Sequence, residues 1–152
     1  MKNYTSYDLI EWGKPFEKSQ HALPEPTLSE VLIRVTAAGL CHSDLHVQKG
    51  YMDLGEEGRL TFAERGAQLP MTFGHEIAGI VEAIGDKVKN VSIGQQVIVF
   101  PWIGCGDCLA CNEDRESDCS AMRIIGLKQK GGFATHCLIE NEKFLVNIDG
   151  LD

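Results

Sequence analysis

The chain has 152 residues, and its 14 Lys and Arg against 22 Asp and Glu give a formal net charge of −8. This length suits one domain with its own hydrophobic core, and the 43% of hydrophobic residues excludes a disordered or fibrous protein. The acidic balance argues against nucleic acid as a partner, because phosphates are bound by Lys and Arg. No apolar run approaches the roughly 18 residues of a membrane span, and the start lacks the apolar stretch of a signal peptide. We therefore expect a cytoplasmic protein with no membrane partner.

The first clear element is a strand over residues 30–39, whose sequence EVLIRVTAAG is rich in β-branched residues. Alternation places Val31, Ile33 and Val35 on one face of this strand and Leu32 on the opposite face. The opening segment alternates only weakly, and a proline-bearing stretch, LPEPTLSE, separates it from the strand.

The rest of the chain predicts short strands with few helices. A short helix is expected to begin near Ser43, and the polar, Gly-containing residues 50–74 predict a long loop with one helical turn at residues 60–65. Four more strand-like runs follow, at residues 75–85, 93–102, 131–139 and 143–148. Short strands joined by Gly-rich turns indicate a fold that is mainly β with short helices, a partly open β-barrel.

Four of the six cysteines form a cluster with the spacing C-x2-C-x2-C-x7-C: Cys105, Cys108, Cys111 and Cys119. Disulfides are disfavoured, because the chain start does not resemble that of a secreted protein. Neighbours three residues apart in a loop suit convergence on one ion, and four thiolates around a tetrahedral ion make a structural zinc site. An iron–sulfur cluster is the alternative, since four cysteines also suit it.

Two further segments carry metal-ligand chemistry, CHSDLH at residues 41–46 and GHE at residues 74–76. Alone, each has an ordinary interpretation. A buried Cys beside a glycine is usually a small apolar residue, and a single His before Glu is more often hydrogen-bonded than metal-bound.

Together these segments carry a family resemblance. The run GHEIAGIVEAIGDKV fits G-H-E-x2-G-x5-G-x2-V, which resembles the zinc signature of the medium-chain, zinc-dependent alcohol dehydrogenases. The four-cysteine cluster has that family's spacing, and AAGLCHSDLHV is similar to the loop with its first catalytic zinc ligand. The resemblance implies that residues 1–152 form the family's N-terminal catalytic domain, a GroES-like fold with a structural zinc lobe at residues 105–119. It also favours zinc over an iron–sulfur cluster.

The resemblance implies two zinc sites. Cys41 and His75 match the thiolate and imidazole ligands of the catalytic zinc, Glu76 matches an acidic neighbour of the metal, and Asp44 matches a carboxylate that orients the histidine. The structural zinc ligands are matched by Cys105, Cys108, Cys111 and Cys119.

Three more residues match a proton relay and a cofactor contact. Ser43 matches the hydroxyl that accepts the proton of the substrate alcohol, and His46 matches the outer base that passes it on through the cofactor ribose. His42 lies where the family places a side chain near the cofactor pyrophosphate.

The sequence departs from the family in three ways. The third catalytic zinc ligand has no match: Cys137 lies in a strand-like run and is interpreted as a core thiol, which leaves Glu76 as the remaining candidate.

No G-x-G-x-x-G motif occurs. Gly131-Gly132 has no third glycine and precedes a strand rather than a helix, so we expect the nucleotide-binding Rossmann domain to be absent. The gap between Cys41 and His75 is long, and its extra residues, 55–68, form either a solvated surface insertion or a rim of the substrate entrance.

The leading functional hypothesis is the catalytic domain of a zinc-dependent oxidoreductase that interconverts an alcohol and a carbonyl compound with NAD or NADP. The isolated chain is expected to have little or no activity, because the hydride acceptor would be bound by the missing domain or by a separate partner domain. Besides a separate nucleotide-binding partner domain, a homo-oligomer is an expected assembly. The alternative function is a non-enzymatic zinc-binding or protein-interaction module. A nucleic-acid-binding zinc ribbon is disfavoured by the single cysteine cluster and the acidic charge.

Overall fold

The computed structural model describes residues 2–151. This part of the chain contains twelve short strands, two short helices and three 3₁₀ turns. The strands are β1 Asn3–Leu9, β2 Glu17–Ala22, β3 Val31–Gly39, β4 Tyr51–Asp53, β5 Arg59–Thr61, β6 Met71–Thr72, β7 Glu76–Ile84, β8 Gln96–Val99, β9 Trp102–Ile103, β10 Arg123–Ile124, β11 His136–Ile139 and β12 Leu145–Asn147. The helices are α1 His42–Lys49 and α2 Leu109–Asn112, and the 3₁₀ turns are Gly55–Glu57, Glu116–Asp118 and Glu142–Phe144.

Two antiparallel sheets form the body of the fold. The larger sheet has the strand order β11-β3-β7-β8-β12, and the smaller has the order β2-β1-β6. The segment before β11 joins the two, since Tyr7 donates to the carbonyl of Phe133 and Thr135 donates to the carbonyl of Thr5, both at 2.8 Å. Within residues 2–151 the sheets do not close on themselves and most elements are strands, so the prediction of a mainly β, partly open barrel is confirmed.

The main core lies under the larger sheet, where Val31, Ile33, Ile77 and Val81 are almost fully buried. Val31 and Ile33 belong to this core as the alternation of β3 predicts, whereas Leu32 lies outside the cluster and is buried, at 2% exposed, by other neighbours. The pairing of β3 with β7 shifts register between Leu32 and Ile33, as at a β-bulge.

The prediction of a long loop with one helical turn over residues 50–74 is wrong. Strands β4 and β5 form a hairpin there, and β6 pairs with β1. The helical turn expected at residues 60–65 is a turn that begins at Phe62, which is 5% exposed and packs with Leu9, Val47 and Phe73 in a second core. Polar and glycine residues make up most of the hairpin, so its sequence does not show that Phe62, which follows β5, connects it to this core.

Strand β1 is only weakly indicated by the sequence, and β2 is not predicted. Their burial alternates, but several buried positions are polar, including Ser6 and Asp8. Asp8 accepts a hydrogen bond from Thr72 at 2.6 Å, which satisfies a carboxylate inside the sheet. Within residues 2–151, neither helix is long and apolar enough to cross a membrane.

Candidate active site and metal centres

Helix α1 positions the first half of the candidate site. Cys41 is its N-cap residue, and its backbone N–H donates to Oδ2 of Asp44 at 2.9 Å. A carboxylate in the first turn satisfies a free backbone donor and interacts favourably with the positive end of the helix dipole. The helix ends at Gly50, which has a φ of 89° and donates to the carbonyls of His46 and Val47. Both ends of this short helix are therefore fixed, and with them the position of Cys41.

The second half of the site comes from the turn between β6 and β7. Gly74 has a φ of 92°, a backbone conformation that glycine adopts without strain, and His75 follows it directly. The Nδ1 atom of His75 lies 3.5 Å from Oδ1 of Asp44, whose side chain is only 3% exposed. Asp44 therefore contacts both halves of the site, through the backbone of Cys41 and the ring of His75.

The ligand atoms of Cys41, His75 and Glu76 lie within 4.8 Å of one another. A zinc ion at about 2.3 Å from sulfur and about 2.0 Å from nitrogen would separate those two atoms by roughly 3.5 Å, so a small adjustment would let these three side chains share one ion. The Nε2 atom of His75 faces this cluster, since Nδ1 is directed at Asp44. A histidine whose second nitrogen meets a carboxylate is the usual arrangement around zinc.

The electrostatics of the pair act in opposite directions on metal binding. The Cys41 thiol is moved toward its ligating form, whereas the His75 imidazole is moved toward its protonated form, so a metal ion would have to displace a proton from His75. Hydrogen bonding to the Asp44 carboxylate raises the pKa of His75 to about 9, although partial burial opposes this change. Hydrogen bonds from Ser43 lower the pKa of the Cys41 thiol, and His75 lowers it further. The thiol is thereby shifted toward the thiolate, which is the form that binds metal.

Glu76 reaches the cluster because Gly39 has no side chain. A Cβ atom at Gly39 would overlap Oε2 of Glu76. Gly39 ends β3 and is paired with Glu76 across the sheet, so the carboxylate lies directly against the glycine backbone. The sequence does not mark Gly39, because its role depends on its pairing with Glu76, which only the folded sheet shows.

A cavity of about 640 Å³ opens over this cluster. Its polar side includes Cys41, Ser43 and His75, and its apolar side includes Ile98 and Trp102. No residue of the 55–68 segment lines the cavity in the described part of the chain. A polar, metal-ligating patch beside an apolar wall is suited to a small organic molecule that carries one polar group.

The three residues of the expected relay and cofactor contact lie together on α1. The hydroxyl of Ser43 is 3.2 Å from Nε2 of His75, next to where a metal ion would be held. The rings of His42 and His46 have centroids 4.9 Å apart. Within residues 2–151, no hydrogen bond joins Ser43 to His46, although positions three apart share a helix face. The structure thus places Ser43 at the cluster and His46 one turn away from it.

The cysteine lobe, residues 105–119, forms a separate centre. All four of its Sγ atoms lie within 4.8 Å of one another, and Cys111 Sγ is 3.9 Å from that of Cys105 and 3.5 Å from that of Cys108. A tetrahedral zinc with about 2.3 Å bonds would set such distances near 3.8 Å. Backbone N–H groups of Asp107 and Cys108 lower the pKa of Cys105 to about 6. A backbone hydrogen bond from Gly106 acts in the same direction on Cys111, but burial and the neighbouring thiols outweigh it and raise the pKa of Cys111 to about 12, so without an ion the thiols do not all ionise together. The four thiols fit a single ion.

Cys137 is not near either centre's ligand set. It is 3% exposed within the main core, and burial raises the pKa of its thiol to about 12. The interpretation of Cys137 as a core thiol is confirmed.

Sequence reasoning missed the ion pair that joins the cysteine lobe to the larger sheet. Glu116 is only 8% exposed, and its carboxylate accepts a hydrogen bond from Lys143 next to β12. A Cβ atom at Gly104 would overlap Sγ of Cys111 and lie 2.7 Å from Cγ of Glu116. Glu116 therefore packs close beside the sulfur cluster, a position that the motif spacing alone does not indicate.

Comparison with known proteins gives the family. Residues 27–150 match the alcohol dehydrogenase GroES-like domain. An NAD-dependent alcohol dehydrogenase of Sulfurisphaera tokodaii is 40% identical over 141 residues, which cover 92% of this chain and 39% of that protein. The chain therefore belongs to the alcohol dehydrogenase GroES-like domain family, as the sequence resemblance implied.

Solved structures agree with this assignment. The crystal structure of the D-arabinose dehydrogenase from Sulfolobus solfataricus is similar with a TM-score of 0.82 at 30% identity, covering 100% of this chain and 42% of that one. A cobalt- and zinc-bound thermostable alcohol dehydrogenase from Pyrobaculum aerophilum has a TM-score of 0.81 at 27% identity, covering 98% of this chain and 42% of that one. The chain thus spans about two fifths of the length of the relatives that it matches.

Proposed function

We propose that this chain is the zinc-binding catalytic domain of an NAD- or NADP-linked alcohol dehydrogenase, an oxidoreductase that interconverts an alcohol and an aldehyde or ketone. The observation that carries the proposal is the convergence of Cys41, His75 and Glu76 within 4.8 Å at one cavity, in a chain of this family. Cys41 and His75 would hold the catalytic zinc, and Glu76 would complete or adjust its coordination. When bound, zinc supplies a Lewis acid that favours the alkoxide of an alcohol and polarises a carbonyl.

Asp44 keeps the ligating histidine in the required tautomer. A carboxylate at Nδ1 of His75 holds the ring proton there and leaves Nε2 free to face the metal. The same carboxylate accepts the backbone N–H of Cys41, so the thiolate and the imidazole are held by one buried group. We infer that Asp44 sets the distance between the two ligands.

Ser43 is the residue that we assign to the substrate proton. Its hydroxyl lies 3.2 Å from Nε2 of His75 and lines the cavity, so a substrate oxygen at the metal would be within its reach. A serine hydroxyl both accepts and donates, which lets it take one proton while it passes on another. His46, one turn along α1, would receive that proton near solvent, and His42 would face the cofactor.

The nicotinamide cofactor requires residues beyond those described. In residues 2–151 every pair of named strands is antiparallel, whereas a dinucleotide-binding unit is built from parallel strands joined by helices. These residues therefore do not by themselves fit the cofactor, and no hydride step is assigned to them. We propose that a nucleotide-binding domain outside the described residues, or a separate partner domain, supplies it.

Metal content tests the two proposed zinc sites. We expect the zinc-reconstituted chain to hold about two zinc ions, with the cysteine lobe retaining its ion more tightly because it offers four protein ligands. C41S should remove the weaker ion only, and C137S, which alters a thiol outside both clusters, should remove none. Elemental analysis after dialysis gives the count. Equal zinc in C41S and in the unaltered chain would contradict the catalytic site.

Activity is tested by restoring a cofactor domain. The chain can replace the matching N-terminal segment of the Sulfurisphaera tokodaii relative, and NAD reduction can be followed with a panel of primary, secondary and polyhydroxy alcohols. We expect activity in this fusion that S43A reduces strongly and that C41S abolishes, with C137S as the control. A folded, zinc-loaded fusion that binds NAD but oxidises no alcohol would favour the non-enzymatic zinc-binding module.

A further inference from the structure

The turn that carries His75 is held by a second segment, residues 131–133. Backbone N–H groups of Gly131, Gly132 and Phe133 donate to the carbonyls of Thr72, Gly74 and Phe73 respectively, each at 2.8 Å. The residues on both sides of these bonds are buried, apart from the half-buried Phe133. Three consecutive donors thus fix the three residues that precede His75.

The contact between the segments is too close for side chains at several positions. A Cβ atom at Gly131 would overlap the carbonyl oxygen of Gly74 and lie 2.6 Å from that of Phe73. A Cβ atom at Gly74 would lie 2.6 Å from Cδ1 of Phe133. Because the atoms opposite Gly131 are backbone, they cannot rotate away as the end of a side chain could. Any side chain at Gly131 must displace the turn itself.

Displacement of this turn would move His75, which follows it directly in the chain. The ring contacts Asp44 at 3.5 Å and Ser43 at 3.2 Å, and both of those residues belong to α1, a different element. A shift of the turn therefore changes the distance between His75 and the α1 side of the site. The cysteine lobe takes no part in these contacts, since its ligands all come from residues 105–119.

We propose that Gly131, together with Phe133, is a positioning element for the metal ligand His75: the absence of a side chain at Gly131 sets how close the ligand turn lies to helix α1. This inference rests on the proposed catalytic metal site. It gives a function to the Gly131-Gly132 pair, which has no third glycine and no following helix and so does not match the dinucleotide-binding motif. Gly131 acts through His75 and does not touch the metal or the substrate.

Cobalt binding to the 152-residue chain tests the proposal. Cobalt held by four thiolates and cobalt held by one thiolate and one imidazole give different visible spectra, so the two sites can be titrated separately. We expect G131A to weaken cobalt binding at Cys41 and His75 about tenfold or more, the range seen when outer contacts of a metal ligand are lost. The four-thiolate spectrum and its affinity should stay unchanged.

A matched glycine provides the control for general destabilisation. A Cβ atom at Gly85 would also overlap backbone, the carbonyl oxygen of Leu28, but at the far end of β7 from the ligand turn. G85A should therefore lower the urea midpoint without changing cobalt affinity at His75. Equal affinity in G131A and the unaltered chain would overturn the positioning role, and so would an equal loss in G85A.

Two outcomes separate this inference from the function on which it rests. If the unaltered chain shows no thiolate–imidazole cobalt spectrum, the catalytic site itself fails and the inference fails with it. If G131A does not fold, as loss of the four-thiolate spectrum would show, F133L replaces it, because the smaller side chain relaxes the contact with Gly74 without a backbone clash. We expect F133L to weaken the His75 site severalfold, and an unchanged affinity would overturn the proposal.

Discussion

The cysteine lobe and the cleft, the cavity lined by Cys41, His75 and Glu76, present candidate metal ligands in two different ways. The lobe draws all four thiols from residues 105–119, so its ligand set is fixed by local chain geometry. The cleft takes Cys41 from the start of α1 and His75 from the turn before β7, and Asp44 links the two. A local site depends mainly on its own loop, whereas the cleft depends on the packing of the whole barrel. Different substitutions should therefore abolish metal binding at each of the two centres, and loss at one should leave the other intact.

Removal of a lobe ligand should have the largest effect. C111S leaves three thiols and removes a buried one whose sulfur lies against those of Cys105 and Cys108. We expect about one zinc fewer per chain and a disordered lobe, because structural zinc supplies folding free energy. Limited proteolysis should cleave within residues 105–119. Cobalt binding at Cys41 and His75 should persist, and its simultaneous loss would show that the two centres are not independent.

Removal of the carboxylate that joins the two halves of the cleft should give the next largest effect. D44N keeps the shape of the side chain but removes the charge that faces Nδ1 of His75, and we expect metal affinity at the cleft to fall about 10- to 100-fold. The lobe should keep its zinc. The matched control is D118N, which alters an exposed aspartate on the lobe. Competition with a chelator of known affinity measures both variants, and unchanged affinity in D44N would contradict the role of Asp44.

The difference between ligands that are close along the chain and ligands that are distant also determines how much of each site the sequence predicts. The spacing of Cys105, Cys108, Cys111 and Cys119 predicts a metal lobe directly, because the ligands are close along the chain. The cleft was identified only through the family resemblance of residues 41–46 and 74–88, since spacing does not show that two distant segments meet. The roles assigned to Ser43, His46 and His42 remain predictions.

Other features could not be read from the sequence because they depend on partners across the fold. Gly39 leaves room for Glu76 only when β3 and β7 are paired. Phe62 connects to the second core a hairpin whose residues are mostly polar or glycine, so neither periodicity nor composition marks the strands before it. Strand β3 was predicted correctly, since its β-branched run is a local property.

A smaller effect is expected where the lobe meets the sheet. K143M removes the partner of Glu116 and leaves a carboxylate that is 8% exposed without its cation, which should cost about 1–3 kcal/mol of unfolding free energy. We also expect zinc to leave the lobe faster in the presence of a chelator, because Glu116 packs beside Cys111. The double variant K143M/E116Q should recover part of the stability. If K143M changes neither stability nor the rate of zinc release, the pair does not support the lobe.

The smallest expected effect concerns Asp8 in β1, which pairs with β6 just before the turn that carries His75, and it depends on pH. Burial raises the pKa of Asp8, but hydrogen bonds from Thr72, Ser19, Ser6 and His21 outweigh it, so the folded pKa lies below the usual value. The unfolded chain therefore binds this proton more readily than the folded one. The contribution of Asp8 to stability is present above the unfolded pKa, about 3.9, and is lost as pH falls through the lower folded pKa. In urea unfolding, the stability difference between the unaltered chain and D8N should consequently be largest near neutral pH and shrink below about pH 4.

Thr72 makes this measurement informative about the cleft as well as about stability. It accepts the N–H of Gly131 through its carbonyl and donates its hydroxyl to Asp8, so it connects the carboxylate to the turn that carries His75. If the cleft depends on the whole barrel, D8N should weaken cobalt binding at His75 slightly, by less than D44N does, while the cysteine lobe is unaffected. A D8N chain that loses stability but binds cobalt at both centres with unchanged affinity would show that the dependence of the cleft on the barrel stops at residues 131–133.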